Sequence, residues 1–486
     1  MKTDIQTSNE TVTPNSRELA LLKKYFPQCF SKPNTDENGN IIKEHFDIEK
    51  LTELLNKDEV DIKKEGFTLN FLGKSYAHYQ SNLDSETVIV PDEKNVETDS
   101  ENVYIVGDNL DALQHLKYSY AEKIKCIYID PPYNTGKDDF VYNDKFGFTA
   151  KELVEKLDVS EEEAERICSM NGKCTHSAWL TFMYPRLALA RELLREDGVI
   201  FISIDDNEQA NLKRLCDEVF GEGNFVANII WKHTQQSKND EKHFSRQYNH
   251  LICFAKNKDK LSNFLFNRTD SDNKNYSNPD NDPRGAWRSG DVRSPNPRPS
   301  LCYDIIAPNG NIIHSPDYGW RWSEDSIKEK ILTGEIKFKD DNSGIIRKIY
   351  LCDQEGRVPE NLWNGEDFGS TRIAAAMIKD LFNGKQVFDT PKPIELVKKI
   401  LELISPRDSV GISNPCGNSD IILDFFSGSG TTAHAVMDLN SNDNGNRKFI
   451  MVQLSEPVKK TVKQKKQATK QSMKSVVNAS DVQPQK

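Results

Sequence analysis

Short β-branched runs alternate with amphipathic stretches through the middle of the chain. Val103 to Val106 is one such run and stops at Gly107-Asp108-Asn109; Leu110, Leu113 and Leu116 then mark one helical face, and Ile124 to Ile129 is a second apolar run. Strand, helix, strand with a wholly apolar second strand is the unit of a parallel sheet covered on both faces. The pattern continues. Phe182 to Leu194 predicts a helix ending near Asp197-Gly198, Val199 to Ile204 a strand, Glu208 to Phe220 a helix, and Val226 to Trp231 and His250 to Ala255 two more strands. Farther on, Ala374 to Phe382 and Ile394 to Ile404 predict helices, and Asp420 to Asp424 and Lys448 to Leu454 predict strands. Ahead of this core, Leu19, Leu21, Leu22, Tyr25 and Phe26 have helical spacing, whereas Phe67 to Tyr76 reads as extended up to a turn at Gly73.

One stretch breaks the alternation. Asn267 to Ser300 holds five Pro, five Arg and five Asp with little apolar periodicity, and Leu301 to Leu351 alternates short strand-like runs with turns such as Pro308-Asn309-Gly310. A segment this long that carries Trp287, Trp320 and Trp322 is read as an inserted module, not a linker. The expected organisation is an auxiliary region at 1–95, an α/β domain split into halves at 96–266 and 361–457, an α+β insert at 267–360, and a tail at 458–486. That tail holds eight Lys against one acidic residue and no sustained apolar face, which predicts disorder.

Composition narrows the class. The 486 residues are 36% hydrophobic and 29% charged, enough for a sizeable core under a polar surface. No run of ~18 apolar residues occurs, so no membrane span is expected. The polar start argues against a secretory signal. The nine Cys are dispersed without a Cys-x-x-Cys pair, which reads as reduced thiols in a cytoplasm and gives neither a disulfide framework nor a zinc site. His233, His243 and His250 lack paired ligand spacing, so no metal is expected. A net charge of −11 opposes nucleic-acid binding by the surface as a whole; a DNA reader with this body must concentrate its Arg and Lys locally.

Two motifs carry chemistry. Asp130-Pro131-Pro132-Tyr133 follows the buried run Ile124 to Ile129, and ligands of open α/β sheets sit at such strand ends. The prolines remove two N–H groups, so the Pro131 carbonyl and the Asp130 carboxylate can converge as acceptors on the two donors of an exocyclic amine. Accepting both N–H bonds draws an aryl amine toward pyramidal geometry and stabilises the positive charge that grows on alkylation. Tyr133 offers a flat face for an extruded base. The second motif, Asp424-Phe425-Phe426-Ser427-Gly428-Ser429-Gly430-Thr431-Thr432, runs from a strand end into a helix start, where glycines admit a ligand and the helix N-terminus favours its anionic end. With Ala433 in the third small position a dinucleotide stays open on this motif alone, whereas a phosphate-cradling loop is excluded because no Gly-Lys-Ser/Thr follows. Glu456, after the next strand, has the place of an acceptor for ribose hydroxyls.

Together these residues resemble an amino-methyltransferase that uses S-adenosylmethionine. The amine motif precedes the cofactor motif, as in the permuted β-group of DNA methyltransferases. Gly107-Asp108-Asn109-Leu110, Ile127 to Gly136, Phe201-Ile202-Ser203-Ile204-Asp205-Asp206-Asn207-Glu208 and Asp282 to Gly290 are similar to the modification subunit of Type III restriction-modification systems, from roughly Leu19 to Pro457. The resemblance implies a Rossmann-like α/β methyltransferase fold, circularly permuted, with an inserted target-recognition module. It implies N6-methylation of adenine in a short duplex DNA site, a separate restriction (helicase and nuclease) subunit as partner, and a homodimer. Asp130, Pro131, Pro132 and Tyr133 would hold the flipped adenine. Asp108 would contact the cofactor's adenine, Glu456 its ribose, and Phe426, Gly428, Gly430 and Thr431 its methionine portion, with Asp424 at the start of that loop also binding the cofactor. Lys392, in Thr390-Pro391-Lys392-Pro393, would meet the cofactor carboxylate. Arg284, Arg288, Arg293 and Arg298 are the expected phosphate or guanine contacts, although nearby aspartates can balance several of them. Two other readings are a catalytically weak recognition subunit serving a nuclease, and N4-cytosine transfer, which Ser in place of Asp130 would have favoured. Past Pro457 the Lys-rich tail departs from the helical segment with which that family continues.

Overall fold

A computed structural model describes the chain except residues 1–4, 6–8, 10–11, 32–33, 36–40, 43, 55–67, 93–99, 136–148, 158, 171–174, 238–241, 405–418 and 456–486. Glu456 and the tail at 458–486 therefore lie outside the described residues. The described residues form two compact units, one from Met1–Ser262 together with those beyond Glu360, the other from Asn263–Pro359.

The first unit is an eight-stranded sheet with helices on its faces. Among its helices are α1 (Ser16–Tyr25), α2 (Lys74–Asn82), α3 (Asn109–Tyr120), α4 (His176–Leu193), α5 (Gln209–Phe220), α6 (Thr371–Leu381), α7 (Ile394–Ile404) and α8 (Thr431–Asp443). Its strands are β1 (Val103–Val106), β2 (Ile124–Ile129), β3 (Leu194–Ile204), β4 (Phe225–Lys232) and β5 (Asn249–Ala255), then β9 (Leu362–Asn364), β10 (Ile421–Asp424) and β11 (Lys448–Gln453). They lie in the order β9-β4-β5-β3-β2-β10-β11-β1. From β3 to β1 all pairs are parallel, and β5 runs antiparallel to both its neighbours. Consecutive β1 and β2 are thus not neighbours; β10 and β11, more than three hundred residues later than β1, fill the space between them.

Burial follows the pleat. All six residues of β2 are buried. Ile127 and Ile129 join Ile200, Ile202 and Ile204 of β3 in a core with α2, α3, α4 and α5, while Cys126, Tyr128 and Phe201 alternate to the other side. There α7 packs on α8 and on β2. The sequence of α7 dictates this: Ile394, Val397, Leu401 and Ile404, with Leu396, Ile400 and Leu403, give it a wide apolar face, and all of them are buried.

The segment before β1 departs from the expected pattern. Tyr76 is not on an extended run: α2 begins at Lys74, and Phe67 lies outside the described residues. The turn at Gly73 has φ +89, and a Cβ there would come within 2.7 Å of Met170 and Thr181. Glycine thereby lets α2 approach α4 closely enough to bury Tyr76, Ala77 and Tyr79 in the main core. No helix among the described residues is long and apolar enough to cross a membrane.

The second unit has an antiparallel sheet of β6 (Trp287–Gly290), β7 (Ile336–Phe338) and β8 (Ile345–Tyr350) in the order β7-β8-β6. Trp320, Ile305, Ile313, Ile327, Ile336 and Ile345 form its own core. Lys348, 9% exposed, is held by Asp280 at 2.8 Å and Asp282 at 2.5 Å, and Tyr350 donates to Asp282 at 2.8 Å.

Candidate active site

The carboxyl end of β2 delivers Asp130, and the adjacent strand β10 ends in Asp424. Tyr133 turns back to donate its hydroxyl to Asp130 Oδ1 at 2.8 Å. Lys392 Nζ donates to Asp130 Oδ2, and the same ammonium lies 5.3 Å from the centre of the Tyr133 ring. One carboxylate therefore accepts a phenol and an ammonium beside an aromatic face. Burial, and then the charge of Asp130, hold the Tyr133 hydroxyl well above the ordinary phenol range, so it remains a donor. The carbonyl of Pro132 is occupied by the Trp179 indole at 2.7 Å. No described residue donates to the carbonyl of Pro131, which leaves an acceptor beside Asp130.

Lys392 joins the two motifs. Its ammonium reaches Asp130, while its carbonyl accepts from the Thr431 hydroxyl at 3.1 Å in the first turn of α8. In the loop before α8, Asp424 is 3% exposed. Its Oδ1 accepts from the Phe426 N–H at 3.0 Å and its Oδ2 from the Thr432 hydroxyl at 2.6 Å. Desolvation pushes this carboxyl up to about 7, against the hydrogen bonds from Thr432 and Phe426; the charge of Asp130 raises it further and Lys392 opposes. Both of its oxygens thus brace the turn that leads into α8. Gly428 and Gly430 take φ +50 and +77. A Cβ on Gly428 would sit 3.0 Å from the Phe388 ring, whereas one on Gly430 would meet nothing.

Asp108 caps α3, accepting from the Leu110 N–H at 2.8 Å. Its neighbour Asn109 donates to the Phe425 carbonyl at 2.9 Å, which ties this turn to the glycine loop. Arg186, 1% exposed, donates to Asn109 Oδ1 at 2.6 Å and lies 3.6 Å from Asp108. Phe426 packs against Phe182, centroid to centroid 6.0 Å. Asp130, Pro131, Pro132, Tyr133, Lys392, Asp424 and Thr431 are thus gathered around one end of the sheet, with Asp108, Phe426, Gly428 and Gly430 on the same loops.

The surroundings fit a ligand with an aromatic base and an anionic end. A half-open cavity of about 260 Å³ beside Gly428, Ser429 and Gly430 is walled by Phe388, Phe382 and Tyr104. Among the described residues the N-terminus of α8 has no side-chain cap, and the buried Ser427 Oγ has no partner. Uncapped N–H groups and an unsatisfied hydroxyl suit a carboxylate and its neighbours. S-adenosylmethionine has this chemistry, and the residues present fit it.

Several supporting residues were given no role by the sequence alone: Trp179, Arg186, His176, Asn134, Asn211 and Glu208. Arg186 left a trace, as the one charge inside the apolar run Phe182 to Ala190. Asn134 and Glu208 lie inside two of the stretches that carry the family resemblance, but a carboxylate before a helix normally reads as a solvated end; the structure starts α5 at Gln209, and Asp205 accepts from the Asn207 N–H at 2.9 Å.

The four arginines lie in the second unit. Arg284 pairs with Asp353 at 2.8 Å and stacks 3.9 Å over the Tyr350 ring, and Arg293 pairs with Asp291 at 2.9 Å. Arg288 is exposed, and its side chain donates to the Tyr276 hydroxyl at 3.1 Å. Arg298 is exposed, with its backbone N–H on the Tyr318 carbonyl.

The DNA methylase family, of N6 and N4 enzymes, matches residues 124–464. The Mod subunit of the StyLTI Type III restriction-modification enzyme of Salmonella typhimurium is 40% identical over 465 residues, 94% of this chain and 69% of its own. The EcoPI Mod subunit of Escherichia phage P1 is 38% identical over 490 residues, 93% of this chain and 72% of its own. The EcoP15I Mod subunit of Escherichia coli is 37% identical over 496 residues, again 93% and 72%. With two strand-end motifs meeting at Lys392 and likeness of this extent, the chain belongs to the DNA methylase family, among the Mod subunits of Type III restriction-modification enzymes.

Proposed function

We propose that this DNA methyltransferase transfers the methyl group of S-adenosylmethionine to the N6 amine of an adenine turned out of duplex DNA. Its second unit reads the site, and a restriction subunit and a second copy of the chain complete the assembly. The observation that carries the reading is the Lys392 ammonium. It rests on the Asp130 carboxylate and over the Tyr133 ring, so this pocket already stabilises a cationic nitrogen. An amine gaining a methyl group becomes such a nitrogen.

In this reading Asp130 Oδ2, released by Lys392, and the Pro131 carbonyl accept the two amine N–H bonds. The nitrogen lone pair is then aimed at the methyl carbon. Bound S-adenosylmethionine supplies that carbon on a positively charged sulfur, a good leaving group. Tyr133 keeps its O–H on Asp130 Oδ1, holding the carboxylate still while its ring stacks on the base. As the new bond forms, the positive charge on nitrogen is balanced by Asp130, which passes the surplus proton to water. The cavity beside Gly428 and the turn at Asp108 would hold the cofactor, and Lys392, drawn from Asp130, would meet its carboxylate.

The test is transfer of labelled methyl from S-adenosylmethionine to unmethylated DNA, with the modified base identified after digestion. N6-methyladenine that disappears with Asp130→Ala is expected. Cofactor binding without incorporation into any adenine-containing duplex would overturn the reading. N4-methylcytosine in the digest would substitute the cytosine reaction. Restriction by the partner that persists in Asp130→Ala, with no methylation ever detected from the unaltered chain, would leave a recognition subunit.

A further inference from the structure

Glu208 has no part in the chemistry above, yet it is the most completely buried carboxylate near the site, 0% exposed. Three donors converge on it. Oε1 accepts from Asn134 Nδ2 at 2.6 Å and from His176 Nδ1 at 2.7 Å, and Oε2 from Asn211 Nδ2 at 2.8 Å. Asn134 directly follows Tyr133.

A carboxylate this buried persists only where donors replace its water. Fold maintenance alone does not account for the arrangement. Glu208 precedes α5 without making a side-chain cap for it. Asn134 is held at φ +57, in the left-handed region, and among the described residues its buried Oδ1 has no partner. Among these residues its orientation is set by one bond, from Nδ2 to Glu208. Backbone strain and unsatisfied polar atoms of this kind collect where a position must be held for function.

The second anchor is one residue on the other side of Tyr133. Trp179 donates to the Pro132 carbonyl from the same turn of α4 that carries His176. Tyr133 is thus bracketed by a tethered carbonyl before it and a tethered amide after it, both tied to α4 and to the start of α5. With proline fixing φ at 131 and 132, little freedom remains for the ring.

We propose that Glu208 is a positioning residue for methyl transfer: through Asn134 it fixes the Tyr133 ring, and through that ring's hydroxyl the Asp130 carboxylate. This rests on the reading that Asp130 and Tyr133 receive the target amine. Gln at 208 can keep the network, because its Oε1 still accepts from Asn134 and His176 and its Nε2 can donate to Asn211 once that amide is turned over. Ala cannot.

The test compares the unaltered full chain with Glu208→Ala, Glu208→Gln, Asn134→Ala and the Glu208→Ala/Asn134→Ala double variant. Initial rates are measured with labelled S-adenosylmethionine on bacterial genomic DNA free of adenine methylation, cofactor binding by calorimetry, and amide hydrogen exchange at Tyr133 to Thr135. Glu208→Ala and Asn134→Ala are each expected to lower kcat roughly 10- to 100-fold with KM for DNA and the cofactor Kd within about threefold, as loosened positioning does. Exchange at Tyr133 to Thr135 should rise in both. Glu208→Gln should stay within about threefold of the unaltered chain, and the double variant should be no worse than either single one, since both cut the same tether. Unchanged kcat in Glu208→Ala, damage in Glu208→Gln equal to that in Glu208→Ala, or multiplied losses in the double variant would overturn the proposal. If Glu208→Ala does not fold, Asn134→Ala and Glu208→Gln decide it by the same exchange and rate criteria. An unaltered chain that transfers no methyl overturns the amine-site reading instead, and exchange then still reports whether Glu208 holds the loop.

Discussion

Asp424 shows how a single side chain ties pH to the fold. Its carboxyl, pushed by burial to about 7, lies above the unfolded value. A group raised in this way contributes stability below its unfolded pKa of about 4, and that stability is lost as pH rises through the folded pKa. Asp424→Asn keeps an acceptor for the Phe426 N–H without a charge to desolvate. Thermal unfolding of this variant is therefore expected to fall less than that of the unaltered chain between about pH 5 and about pH 8, and an equal fall in both would refute the assignment. Tyr133 offers a second test. Tyr133→Phe retains the ring and loses the bond to Asp130 Oδ1, so a methylation loss of about tenfold is expected, against more than about a hundredfold for Tyr133→Ala. At this scale Asp130, Tyr133 and Thr431 could be proposed from the chain alone because their residue types carry their chemistry. The bonds that Asp424 makes inside its own turn could not, since nothing in a residue's identity says which groups its oxygens face.

At the scale of elements, the glycine loop and α4 do different work. Gly428 and Gly430 both have positive φ, but only Gly428 has a neighbour within reach of a Cβ, the Phe388 ring at 3.0 Å. Gly430→Ala should cost about 1 kcal/mol of strain and little else. Gly428→Ala must also displace a ring that walls the cavity, so its loss of affinity for S-adenosylhomocysteine by calorimetry is expected to be the larger. Trp179→Phe removes the donor on a buried carbonyl and should lower stability to denaturant by about 1–3 kcal/mol. The strands and α7 were legible because a buried strand is uniformly apolar and an amphipathic helix repeats every three to four residues. The start of α2 was not: the alternating Leu69 and Phe71 before Gly73 read as extended, and where the helix begins fell to Gly73 and the surface of α4.

For the whole molecule, charge and topology decide. With a net −11, DNA binding must come from a few local cations, and pairing sorts the candidates in the second unit. Arg284 and Arg293 are engaged by Asp353 and Asp291, whereas Arg288 donates to a tyrosine hydroxyl. Arg288→Ala is expected to weaken DNA binding and to reduce the slope of log K against log salt by about 1 if it meets phosphate. Arg284→Ala should act mainly on the local fold around Tyr350. A titration over a range of salt concentrations separates the two.

Hydrophobic period, turn residues and two strand-end motifs were decided by the chain itself, because each depends on neighbours a few positions away. That the two motifs form one site was decided by tertiary structure. Parallel strands pair through crossovers of arbitrary length, so β10 and β11 could enter between β1 and β2. Only that insertion puts Asp424 beside Asp130 and lets Lys392 span them. The same holds for Glu208, which meets Asn134 and His176 from two distant segments as well as Asn211 of the helix it precedes.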